Sequence, residues 1–210
     1  AELIQNGDVL GMGGFTAAGV PKAVPFALAQ RAEKLHAQGI PFRVGVETGA
    51  SMGDSCDGAL ARAHAVEFRT PYQANPSLRE EINTEGTHYF DMHLSTMPQE
   101  LRYGFLPRPK WAIIEASYVD ENGIIVPAAG VGTMPTICRM ADKIIVELNE
   151  MFPPTMRGMH DLYEPLDPPY RKEIPVYKPS DRIGIDHLKV DPAKIAAVVR
   201  TNRPNEITPF

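Results

Sequence analysis

Over the first 150 residues, short apolar runs of strand length alternate with longer runs of helical character. "GDVLGM", "PFRVGVET", "VEFRTPY", "KWAIIEASYV", "IIVPAA" and "DKIIVELNE" read as strands. Between them "PKAVPFALAQRAEKLHAQG", "DSCDGALARAHA", "NPSLREEINTEG", "LSTMPQELRYGF" and "MPTICRMA" read as helices. Strands apolar on both faces need cover on both sides, and crossover helices supply it. The fold class expected is therefore α/β: an open, mostly parallel sheet with flanking helices. Local chemistry sets the boundaries. Asn75 before Pro76 is a helix N-cap signal, and Gly39 and Gly86 are stops. Asn122-Gly123 between two β-rich runs predicts a hairpin. In the first helix, Ala23, Phe26, Ala27 and Leu35 are expected to face the core.

The pattern breaks at Met151. Seven of the twenty prolines fall in residues 151–184, with no sustained period. A loop of that length is unusual in a compact domain and predicts a Pro-rich arm over about 151–185. Its Met159, Leu162, Tyr163, Ile174, Val176 and Tyr177 argue against plain disorder. "KIAAVVRT" then reads as a closing strand. With 210 residues and 43% hydrophobic content, the chain can bury one good core.

Composition narrows the function classes. A net charge of −5 argues against a nucleic-acid surface. No apolar run approaches the ~20 residues of a membrane span. Cys56 and Cys138 are far apart with no CxxC, which predicts a reducing compartment without disulfide or structural zinc. Six histidines form no HxH, HxxxH or HExxH pair, so no metal site is expected. A bacterial cytoplasm is the default location, or a mitochondrion in a eukaryote. The chain begins at Ala1, so a leader would lie outside it.

The glycine-rich "GMGGFTAAGVPK" is not a phosphate motif. Gly11 and Gly13 begin a dinucleotide fingerprint, but Thr16 occupies the third glycine position. Gly14 and Gly19 have P-loop spacing, but Val20 and Pro21 replace the lysine and hydroxyl. Nucleotide or sugar-phosphate binding is therefore disfavoured. There is also no G-x-S-x-G nucleophile elbow. What remains is a strand–turn–helix junction, and it recurs in "TGASMG" and "AAGVGTMPT". In a parallel sheet the three turns would gather at the strands' carboxyl edge, where ligands of open α/β sheets bind. Gly14, Phe15, Gly49, Ala50, Ser51, Gly132 and Thr133 are the candidate binding residues, with Gly130 as a further backbone donor. Each turn also has a purely structural reading, as a tight turn or a helix cap.

The ordered set "GGFTAAGVPKAVPFALA", "TGAS", "DGALA", "FRTPYQ", "ADKIIVELNE", "GMHDLY", "DRIG" and "VDPAKIAAVVRTNRP" resembles the N-terminal half of the acetyl-CoA hydrolase/transferase family. That family includes succinyl-CoA:acetate and 4-hydroxybutyrate CoA-transferases. The resemblance implies residues 1–210 as one N-terminal CoA-transferase domain, with a catalytic C-terminal domain outside this chain. It implies exchange of coenzyme A between a short acyl-CoA and a carboxylate such as acetate, succinate, butyrate or 4-hydroxybutyrate. A glutamate attacks the thioester, giving an acyl-glutamyl anhydride and CoA thiolate. The thiolate then gives a glutamyl-CoA thioester, and a second carboxylate reverses the sequence. The glutamate belongs to the C-terminal domain, so Glu47, Glu115 and Glu147 are not nucleophiles and this chain alone is expected to be inactive. Coenzyme A is substrate, with no permanent cofactor and no metal. A homodimer is expected, with no nucleic-acid or membrane partner. Ser51 matches the turn that faces the small carboxylate. Gly132 and Thr133 are a second contact, although the family often carries asparagine where Thr133 stands. The "GMHDLY" segment is expected to pack against the neighbouring domain or subunit, with local loop packing as the alternative. Acyl-CoA hydrolysis and a non-catalytic ligand-binding module are the competing functions.

Overall fold

The computed structural model describes residues 1–206. Seven strands form a parallel sheet in the order β4-β3-β2-β1-β5-β7-β9. They are β1 (Val9–Met12), β2 (Val44–Thr48), β3 (Val66–Thr70), β4 (His88–Tyr89), β5 (Trp111–Val119), β7 (Lys143–Asn149) and β9 (Ile195–Thr201). The far end of β5 turns back as a hairpin into β6 (Ile124–Pro127), which pairs with the short β8 (Leu188–Lys189). These two antiparallel additions make the sheet mixed. The hairpin turn is stabilised by Asp120, whose carboxylate accepts the Asn122 and Ile124 N–H groups. Two-residue β4 and β8 leave no readable periodicity in the sequence.

Helices cover both faces. On one side α1 (Ala23–His36) packs with α2 (Ala59–Arg62), which continues one wide turn over Asp54–Gly58. Leu10, Met12, Val44, Val46, Ile113 and Ile145 meet them there. On the other side α4 (Met97–Tyr103) and α5 (Met134–Met140) cover Ala112, Ile114, Ile144 and Val146. α3 (Pro76–Asn83) starts at the expected cap: Asn75 Oδ1 accepts the Ser77 and Leu78 N–H groups. The buried face of α1 differs from expectation. It consists of Val24, Pro25, Leu28, Ala29 and Ala32, whereas Phe26 is exposed and Leu35 only partly buried. The helix is rotated because its start is fixed from outside. Glu147, fully buried at the end of β7, accepts the N–H groups of Lys22, Ala23 and Val24 at 2.8, 3.0 and 2.6 Å. A carboxylate there satisfies donors that every helix start leaves open. Phe26 instead lies under the Arg203 guanidinium, 5.4 Å from its ring centre.

Residues 150–187, between β7 and β8, hold one short 3-10 turn (Pro154–Met156) and no strand or α-helix. Side chains tie them to the domain. Asp167 pairs with Arg102 of α4, which also donates to Thr136, and Thr136 donates to Glu164. Within the segment, Leu162 and Ile185 exchange backbone hydrogen bonds. "GMHDLY", expected to reach a neighbouring domain or subunit, makes its described hydrogen bonds within this domain. His160 Nε2 lies 3.1 and 2.8 Å from the Pro127 and Ala128 carbonyls, so that nitrogen carries the proton. The Asp161 carboxylate accepts the Ile183 and Gly184 N–H groups.

Replacing Glu147 by alanine strands three buried donors. We expect Glu147→Ala to lose about 3 kcal/mol of unfolding free energy, and Glu147→Gln to lose less, read by urea titration.

Candidate functional site

The three small-residue turns meet at the carboxyl edge of the sheet. The first turn follows β1, where Phe15 and Ala18 exchange backbone hydrogen bonds of 2.9 Å. Thr16 and Ala17 adopt φ of 46° and 67°, a conformation non-glycine residues rarely hold. The third turn, between β6 and α5, lies directly against the first, and Gly14 N–H donates to the Val131 carbonyl. Their backbones touch where side chains would normally stand. A Cβ on Gly132, itself at φ 56°, would come 2.2 Å from the Gly14 carbonyl oxygen. A Cβ on Gly130 would come 2.2 Å from the Ala18 oxygen. The second turn closes the set: Gly49 lies against Thr133 and Gly53 against Ala17. Gly14, Phe15, Gly49, Gly132 and Thr133 are thus brought together. Ala50, Ser51 and Thr133 are buried, whereas Phe15 is 45% exposed.

The second turn is fixed by an ion pair that the sequence did not advertise. Arg69 of β3 is fully buried and uses all three of its guanidinium nitrogens. Its Nε and one terminal nitrogen grip both oxygens of Asp57 at 3.0 and 3.1 Å. The remaining bonds go to the Thr70 and Ala50 carbonyls. Asp57 in turn accepts the Met52 N–H. The stretch 50–52 is therefore clamped from both sides, and Ser51 sits inside the clamp. Its Oγ accepts the Ala74 N–H at 3.1 Å and lies 3.5 Å from Asp57. The hydroxyl proton is directed at the Asp57 carboxylate over that long contact.

Three glutamates stand at the same edge in different electrostatic settings. Glu115 of β5 pairs with Lys22, both buried, and accepts from Asn149 at 2.9 Å. Burial raises its pKa, and the Lys22 ammonium opposes that shift. Glu147 beside it holds α1. Glu47 of β2 is fully buried and makes no hydrogen bond to the described residues, and burial pushes its pKa up to about 8. From the far end of the chain, Glu206 accepts the Asp54 and Ser55 N–H groups, and Asn205 accepts the Gly19 N–H. That segment lies across the first and second turns. Among the described residues no cluster of three metal-ligating side chains occurs, and no helix is long and apolar enough to cross a membrane.

Arg69, Asp57, Lys22 and the roles of the glutamates escaped the sequence reading. A signal existed: a charged residue inside an otherwise apolar strand run, as in "VEFRT" and "IIVEL", must find a buried partner. The partner itself could not be read.

The same fold occurs in solved structures of low sequence identity. RipA from Yersinia pestis superposes over 99% of this chain and 42% of its own, with a TM-score of 0.64 at 19% identity. Glutaconate coenzyme A-transferase from Acidaminococcus fermentans superposes over 96% of this chain and 73% of its own (TM-score 0.62, 14% identity). Residues 1–200 match the acetyl-CoA hydrolase/transferase N-terminal domain, and the chain belongs to that family. It is 40% identical over its full length to a succinyl-CoA:acetate CoA-transferase of Clostridium kluyveri, of which it covers 38%. It is 39% identical to a propanoyl-CoA:succinate CoA transferase of Escherichia coli, covering 98% of this chain and 42% of that protein. To an acetyl-CoA hydrolase of Saccharomyces cerevisiae it is 38% identical, covering 99% and 40%. The chain thus spans about two fifths of the length of these relatives.

Arg69→Met leaves Asp57 buried without its counter-charge. We expect a loss of about 3–5 kcal/mol, with much of it recovered in the Asp57→Leu/Arg69→Met double variant, measured by chemical denaturation.

Proposed function

We propose that this chain is the N-terminal domain of an enzyme that moves coenzyme A between a short acyl-CoA and a small carboxylate. The observation that carries this reading is the interlocked triple turn, with the Ser51 hydroxyl held at the carboxyl edge of a domain of this family. The turn supplies a rigid wall of backbone and hydroxyl donors, suited to a short acid and too shallow in side chains to perform covalent chemistry. The catalytic glutamate then comes from a C-terminal domain that closes over this edge. It attacks the thioester and expels CoA thiolate, which attacks the resulting anhydride, releases the first acid and leaves a glutamyl-CoA thioester. A second carboxylate then attacks that thioester, and the expelled thiolate takes the new acyl group and frees the glutamate. Each step builds a negative oxygen that fixed N–H and O–H donors stabilise. The natural assembly in this reading is a homodimer of two-domain chains, cytoplasmic or mitochondrial.

Hydrolysis is the second reading, favoured by the acetyl-CoA hydrolases among the relatives. The two differ in one step. Water, rather than a carboxylate, takes the acyl group or the enzyme-bound thioester.

The test is steady-state kinetics on the full-length natural protein with acetyl-CoA and succinate. Exchange predicts parallel double-reciprocal lines and no thiol release without an acceptor acid. Thiol release independent of the acid supports hydrolysis, and a strict ternary-complex pattern overturns the exchange mechanism. Residues 1–210 alone are expected to show no exchange. Ser51→Ala in the full protein is expected to raise the KM for the acid by ~10-fold, the effect of one lost hydrogen bond to a charged group.

A further inference from the structure

Of the three edge glutamates, one is left without partners. Glu115 and Glu147 pair in register and lie on the α1 face, where Lys22, Asn149 and the α1 N–H groups engage them. Glu47 lies on the opposite face. Its register partners are Gly11 on β1 and Thr70 on β3. The space a side chain would take at Gly11 and Gly13 is filled by Ile137 and Met134 of α5. Glu47 therefore points into the layer roofed by α5. Thr133, at the start of α5, lies against Gly49, two residues beyond Glu47. Three buried polar atoms at this corner have no hydrogen-bond partner: both carboxyl oxygens of Glu47 and the Thr133 hydroxyl.

Among the described residues no hydrogen-bond donor and no neighbouring charge accounts for Glu47. β1 offers Gly11, β3 offers Thr70, and α5 offers Thr133, Met134 and Ile137. Lys22, Asp57 and Arg69 are committed to partners of their own. Burial without compensation is why its pKa rises to about 8, leaving a neutral acid at pH 7. A leucine would fill the same space at lower cost. A buried group with no partner calls for an explanation, and a guest that completes its hydrogen bonding supplies one.

We infer that Glu47 is a specificity-determining residue of the small-acid pocket, its carboxyl O–H donating a hydrogen bond to an oxygen of the bound carboxylate beside Thr133. This inference rests on the CoA-exchange reading above. In the neutral state Glu47 offers a donor without repelling an anion. Ionised, it faces the carboxylate with a like charge and no counter-ion.

Two variants of the full-length protein test this: Glu47→Leu and Glu47→Gln. Three quantities are read: KM for acetate and succinate against KM for acyl-CoA, affinity for the acids by calorimetry without CoA, and the melting temperature. Glu47→Leu is expected to weaken acid binding ~10-fold or more while KM for acyl-CoA and kcat change little. The same variant is expected to melt higher than the wild type. Its advantage should widen between pH 4.5 and 8, because the raised pKa makes the wild-type fold lose stability as pH rises through that window. Wild-type KM for the acid should climb above about pH 8, and Glu47→Gln should abolish that limb while staying near wild type at pH 7. A Glu47→Leu protein that melts lower and binds acids normally would make Glu47 a structural residue and overturn the inference. If the wild type shows no exchange, the functional reading falls, and calorimetry still decides the role of Glu47: equal acid affinity in wild type and Glu47→Leu refutes it.

Discussion

Glu147 accepts three backbone N–H groups from the start of α1, and the rest of the edge is arranged around that grip. It fixes where α1 begins and which side of it meets the sheet. It also sets the Lys22 side chain against Glu115, so the two neighbouring acids of β5 and β7 are neutralised by different means. One takes a helix start and the other an ammonium. Neither is free to act on a substrate. Parallel sheets bury their strands on both faces, so a polar side chain on a central strand is costly without a partner of this kind, and Glu47 is the one glutamate of the edge that lacks it among the described residues.

The same economy governs the turns. The first and third touch through glycine backbones, leaving no room for side chains between them. The second is clamped by Arg69 and Asp57. A surface made this way is stiff and chemically plain. Its donors are N–H groups and one serine hydroxyl, placed by contacts below the surface rather than by their own side-chain rotamers. Groups held this way lose little freedom on meeting a ligand, which is the property of a preorganised wall.

Most of the fold was legible in the sequence because its signals are local. "KWAIIEASYV" and "DKIIVELNE" could only be buried strands, Asn75 with Pro76 announced α3, and Asn122-Gly123 announced the hairpin. Parallel topology groups the first two turns; the third follows the antiparallel β6 and reaches the same edge through the β5–β6 hairpin. What was not legible depends on long-range partners. The face of α1 was misjudged because Glu147 is 125 residues away. The Arg69–Asp57 clamp, the Lys22–Glu115 pair and the isolation of Glu47 each need knowledge of which strands lie side by side. β4 and β8, at two residues each, are too short to carry a period.

That separation has a temporal consequence. α1 and the first turn leave the ribosome early, yet the carboxylate that anchors the helix start and the glycines that seat the turn are made only when synthesis reaches β7 and α5. Until then the first turn has no template for its positive-φ residues, and the apolar side of α1 has no fixed register on the sheet. The edge can thus be completed only once the earliest and latest parts of the parallel core have both been made. A chain interrupted before Glu147 has β1 to β6 and α1 but lacks the carboxylate that seats the start of that helix.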